Sequence, residues 1–130
     1  MRPEAELWIK QAASDLRNAE KNIGIAAFDV AAFLCQQAVE KLLKGLNIHL
    51  KREEPARTHT VLALGKAFNA PEPVLSHLRV LTPDYLAARY PDAANGVPAE
   101  LYDEPIARDR LRRAKEVFRW ARGQTDIELG

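Results

Sequence analysis

The sequence is poor in the residues that make extracellular or catalytic scaffolds. A single cysteine, Cys35, stands among 130 residues. One cysteine excludes an internal disulfide and any cysteine-based structural zinc site within one chain. No apolar run approaches the roughly 18–20 residues of a membrane span. The first ten residues carry Glu4, Glu6 and Lys10 and no apolar signal-peptide core. The expectation is a cytoplasmic protein without membrane association. H-E-x-x-H, P-loop glycine and G-x-G-x-x-G patterns are all missing. Ser14 and Ser76 sit in helical patterns without a nucleophile-elbow context. His49, His59 and His77 have no metal-ligand partner at helical spacing, so neither a metal nor a cofactor is expected.

What is present is ordinary globular material for one domain, with 47% hydrophobic and 28% charged residues. Net charge is only +1, which gives no global case for nucleic acid. The distribution is uneven. Between Glu104 and Gly123, seven cations stand against three anions, a local +4 that leaves −3 for the remainder. Two readings stay open: a solvated helix face laced by i, i+4 pairs, or a phosphate-attracting surface.

Helix signals dominate and strand signals are nearly missing. Pro3 suits a first helical turn, and Trp8, Ala12, Leu16, Ala19 and Ile23 form one apolar stripe up to a stop at Gly24. A second helix is predicted from about Phe28 to about Leu50, with Ala31, Leu34, Cys35, Ala38, Leu42 and Leu46 inward. Lys51–Arg57 reads as a charged loop. Thr58 reads as the N-cap of a third helix ending near Phe68. A short extra helix is predicted near Val74–Leu81. Thr82-Pro83-Asp84 then opens a turn or two that end near Tyr90. Pro91–Leu101 shows no periodicity. The last helix runs from a cap near Asp103 to Gly123, on the stripe Ala107, Leu111, Ala114, Phe118 and Ala121.

The predicted architecture is all-α: an up-and-down antiparallel four-helix bundle with a short extra helix, a single domain over 1–123 and a frayed tail over 124–130. A bundle of this size often keeps an apolar face, which makes a homodimer the expected assembly.

Cys35 reads as a small buried hydrophobe. The polar residues of the second helix are less ordinary. Gln36, Gln37, Glu40, Lys41 and Lys44 occupy overlapping faces, with Gln37–Lys41 and Glu40–Lys44 at i, i+4. They form either the solvated side of an amphipathic helix or a polar groove for an anion or a partner helix.

These residues resemble a known family. Phe33-Leu34-Cys35-Gln36-Gln37-Ala38-Val39-Glu40-Lys41-Leu42-Leu43-Lys44-Gly45 is similar to the "aQQAxEKxLKA" segment of small HEPN-domain proteins (higher eukaryote and prokaryote nucleotide-binding domain). Thr58-His59 followed by Leu62 and Leu64 resembles the family's "TH-x-L-x-x-L" start of the next helix. Arg89-Tyr90-Pro91 resembles its "RYP" motif, and Trp8, Ala12, Asp15 and Leu16 its opening. The resemblance implies a helical bundle that usually dimerises. It further implies a nucleotide- or RNA-binding subunit encoded beside a minimal nucleotidyltransferase, sometimes as a toxin–antitoxin pair.

Other branches of the family are metal-independent ribonucleases with an R-x4–6-H motif near the last two helices. Here no histidine follows Arg89. The only formal match, Arg52 with His59, lies in the loop before the third helix and reads as coincidence. The resemblance therefore implies a binding protein rather than an enzyme, with a ribonuclease toxin or a pure protein-interaction dimer as alternatives.

The candidate ligand-binding residues are Gln37, Lys41, Lys44, Thr58, His59, Arg89 and Tyr90. Arg89 offers a planar fork for phosphate and Tyr90 a face for stacking. His59, expected in a first helical turn, would meet free N–H groups that favour anions. The plainer alternatives are a cap with a surface histidine, and a helix terminator whose arginine pairs with Asp15 or another carboxylate.

Overall fold

The computed structural model describes residues 2–125. Two long helices, α1 (Pro3–Gly24) and α2 (Phe28–Leu46), form a hairpin. A π-helical segment, Asn47–Lys51, prolongs α2. Then come α3 (Val61–Ala67), α4 (Glu72–Leu81), the single turns α5 (Asp84–Ala87), α6 (Pro91–Ala94) and α7 (Pro98–Leu101), and the long α8 (Glu104–Arg122). No strand occurs among the described residues. The frayed tail expected over 124–130 falls, from residue 126 on, outside them.

The bundle runs up and down. Gly45, near the end of α2, lies against Ala5, Trp8 and Ile9 at the start of α1. A Cβ at Gly45 would sit 2.8 Å from Ile9 Cγ1 and 3.3 Å from the Ala5 carbonyl oxygen, so this close approach needs glycine. Further along the seam, Ala12 and Ala19 of α1 and Ala31 and Ala38 of α2 are completely buried, small residues that let the backbones approach. α8 runs antiparallel to α1 and alongside α2: its Ile106, like Phe28 and Phe33 of α2, packs against the buried cluster of Ala32, Ala88 and Tyr102. The rest of the core fills with Leu42, Leu43, Leu46, Leu78, Leu81, Val117 and Phe118. Cys35 is buried among them, and loss of hydration pushes its thiol up to about 12.

Several boundaries differ from the sequence expectations. α1 does end at Gly24, but the left-handed residue that turns the chain is Ala26 (φ 61°). α2 gives way to π geometry after Leu46 instead of running to Leu50, and Arg52 (φ 56°) ends that segment. The third helix starts at Val61, so Thr58 is not its cap. Thr58 Oγ1 instead accepts from Thr60 N at 3.1 Å in a local turn. Thr82 is the residue that serves α3: its hydroxyl accepts from Leu62 N at 3.2 Å and donates to Leu78 O at 2.8 Å. One side chain thus satisfies an orphan N–H of α3 and the end of α4 together. α4, expected as the short extra helix, has 10 residues against 7 in α3 and packs on α8. Pro91–Leu101 is not irregular but forms α6 and α7, each opened by a proline. The expected cap of α8 is present: Asp103 Oδ1 accepts from Ile106 N at 3.0 Å.

Candidate functional site

The polar residues of α2 do not face water. Gln36, Glu40 and Lys44, spaced by four, form a buried ladder turned toward the segment before α3. Glu40 is its centre. Its carboxylate accepts from Gln36 Nε2 at 3.2 Å and from Lys44 Nζ at 3.2 Å, and meets His59 Nδ1 at 3.0 Å. Gln36 Nε2 also donates to the His59 carbonyl oxygen at 2.8 Å, and Gln37 Nε2 to Gln36 Oε1 at 2.8 Å. The ladder therefore fixes both the backbone and the ring of His59. Burying a carboxylate is costly unless it is paired and hydrogen-bonded, and this one is both.

With a carboxylate as acceptor, Nδ1 of His59 carries the proton. The His59 side chain as a whole stays half exposed. The ring stacks on Tyr85 of α5, with centroids 4.0 Å apart and planes 11° apart. Tyr85 in turn meets Arg89 four residues on. The Arg89 guanidinium carbon lies 4.4 Å from the ring centres of Tyr85 and Phe33 and 4.8 Å from that of Tyr90. Arg89 Nε donates to the Tyr85 carbonyl oxygen at 2.7 Å, and Nη1 reaches the Tyr90 hydroxyl at 3.5 Å. Among the described residues, Arg89 pairs with no carboxylate. At the other end of the ladder, Lys44 Nζ lies 5.7 Å from the Trp8 ring centre. Trp8, Lys44, Glu40, His59, Tyr85 and Arg89 make one chain of contacts linking the sequence motifs.

The expected site residues separate accordingly. Gln37, Lys44 and His59 come together through Gln36 and Glu40, and Arg89 and Tyr90 join through Tyr85. Lys41 does not belong: it turns to α1 and pairs with buried Asp15 at 2.5 Å, where Gln11 Nε2 also donates at 2.9 Å. The alternative in which Arg89 pairs with Asp15 is not what forms: Asp15 pairs with Lys41, since α2 lies between α1 and α5. His59 precedes α3 and is held by side chains, not by free N–H groups of a first helical turn. Thr58 only orders the local turn.

Tyr85 escaped the sequence reading, and Phe33 entered it only as the first residue of the α2 motif, not as a site residue. The i, i+4 spacing of Tyr85 and Arg89 was the available signal. A second buried cluster was also missed. Asp84, at the start of α5, accepts from the Tyr102 hydroxyl at 2.6 Å and from Arg110 Nε at 2.6 Å. Burial holds its carboxyl above the usual range despite these donors. This cluster ties the turn that carries Tyr85 to α7 and α8. Among the described residues, no three His, Cys, Asp or Glu side chains gather as a metal would require.

Residues 5–124 match the HEPN domain family, and the chain belongs to it. Two solved structures are similar over almost their whole length. One is TT1696 from Thermus thermophilus, 32% identical, with 93% of this chain and 98% of that one covered and a TM-score of 0.83. The other is ST0689, described as an archaeal HEPN homologue, 35% identical, with 92% and 96% covered and a TM-score of 0.80. No curated protein matches the chain. No described helix is long and apolar enough to cross a membrane.

Proposed function

We propose that this HEPN protein binds a nucleotide unit, free or within RNA, on the surface of His59, Tyr85, Arg89 and Tyr90, and does so as the non-catalytic partner of a minimal nucleotidyltransferase. The observation that carries the reading is Arg89. Its guanidinium is held among three aromatic rings without a neutralising carboxylate among the described residues, one ring away from a half-exposed imidazole. A nucleotide offers the complement: a phosphate for the guanidinium fork and a base for the Tyr90 face, which stays exposed. The buried ladder keeps His59 in place before any ligand arrives, which lowers the ordering cost of binding. A homodimer and a toxin–antitoxin arrangement follow from the same reading.

The test is titration with each of the four ribonucleoside triphosphates. Arg89→Ala should weaken binding by about 10- to 100-fold, the value of a charged hydrogen bond. Unchanged affinity in a folded Arg89→Ala protein removes Arg89 from the site. Co-purification with a co-expressed nucleotidyltransferase from the neighbouring reading frame tests the partner.

One observation favours a second reading, a metal-independent ribonuclease. The buried Glu40 carboxylate holds Nδ1 of His59 and so orients an imidazole, the group most often used in general acid–base catalysis. That reading requires RNA cleavage in EDTA that His59→Ala abolishes.

A further inference from the structure

The charge of α8 is not absorbed by the site above. Taking 100° per residue, Arg108, Arg112, Lys115, Arg119 and Arg122 fall within an arc of about 80°. Between Arg108 and Arg122, that arc contains no other residue. The flank on one side is acidic, with Asp109 and Glu116. The other flank is apolar, with Leu111. The stripe lines shallow depressions along α8, floored by Leu111 and by Leu16 of α1. It is about 21 Å long at 1.5 Å per residue.

The stripe's anionic partners lie beside it or at its start: Glu104 on Arg108 at 2.7 Å, Asp109 on Arg112 at 3.0 Å, Glu116 on Arg119 at 3.0 Å, and Glu20 on Lys115 at 2.8 Å. The cations of all four pairs are solvent-exposed, with the side chains of Arg108, Arg112, Lys115 and Arg119 at 60%, 58%, 52% and 74%, while Asp109 and Glu116 are half-buried. Such pairs are each worth little, so a polyanion can exchange them without opening the fold. Four of the five cations are arginines, whose forks match phosphate oxygens.

We infer that the α8 stripe is a track for the sugar-phosphate backbone of a single RNA strand. It shares no residue with the His59–Arg89 surface. An acidic protein surface fits it less well, because the cations are evenly spaced along one line and not gathered in a patch.

The experiment is gel retardation of a labelled single-stranded RNA of about 20 nucleotides by the full chain, over a salt series, in EDTA. Five phosphate contacts predict an affinity loss on the order of 100-fold between 50 and 200 mM salt. Arg112→Gln with Arg119→Gln, both exposed, should leave the fold intact by circular dichroism and reduce that loss to on the order of 20-fold. Arg89→Ala should retain the wild-type salt dependence. The inference is overturned if the wild type fails to retard the RNA at 50 mM salt, or if the double variant keeps the wild-type slope. Loss confined to Arg89→Ala also overturns it.

Discussion

On α2, Glu40 and Lys44 form an i, i+4 pair whose side chains are 5% and 9% exposed. On α8, Glu104 and Arg108 form the same pair at 52% and 60%. Spacing, charge and helix type are alike, and the energetics are not. Water screens the α8 pair, and neither partner depends on the other. The α2 pair has lost its water, so Glu40 depends on Lys44, Gln36 and His59 for compensation. A buried ladder of this kind fixes geometry, whereas an exposed one supplies charge. The two regions differ accordingly, with His59 held in place on one side and a solvent-exposed row of cations on the other.

The largest effect should come from breaking the buried ladder. Glu40→Ala strands Lys44 in a buried position and should cost about 3–5 kcal/mol in urea unfolding. A loss below about 1 kcal/mol would mean the ladder is hydrated and the contrast with α8 false. Next is Tyr102→Phe, which removes one of the two donors to buried Asp84. About 1–3 kcal/mol should be lost, with a matching weakening of nucleotide binding through Tyr85, read by thermal unfolding and titration together.

His77 adds a pH test. Burial, then the Arg113 and Arg112 charges, hold its imidazole below the ordinary 6.5. The folded state therefore takes up this proton less readily than the unfolded one, and stability falls as pH drops below about 6.5. His77→Gln should remove that part of the acid dependence, and an unchanged profile between pH 7 and 5 contradicts it. The smallest effect is expected on α8, where Arg108→Ala should change stability by no more than about 0.5 kcal/mol.

Much of the fold was legible because it rests on local pattern. The apolar stripes of α1, α2 and α8 repeat at helical spacing, and Asp103 caps α8 with a side chain that reaches only three residues on. What failed to show depends on distance across the bundle. Thr82 caps α3 from 20 residues away, Asp15 meets Lys41 across 26 positions, and Arg110 reaches back as far to Asp84. The motif residues around Gln37, His59 and Arg89 could be picked out. Their connection could not, because it runs through Glu40 and Tyr85, and no spacing rule links His59 to a carboxylate 19 residues earlier. The burial of α2's polar face was equally hidden, since Gln36, Glu40 and Lys44 follow the same i, i+4 rule as any solvated helix.

The central claim is that the ladder presents His59 beside Arg89 for a nucleotide. Imidazole resonances of the three histidines, followed by NMR during titration with ribonucleoside triphosphates, test it most directly. The account predicts saturable shifts of the His59 signals, lost in Arg89→Ala, while those of His49 stay fixed. Nucleotide binding that leaves the His59 signals unmoved would contradict it.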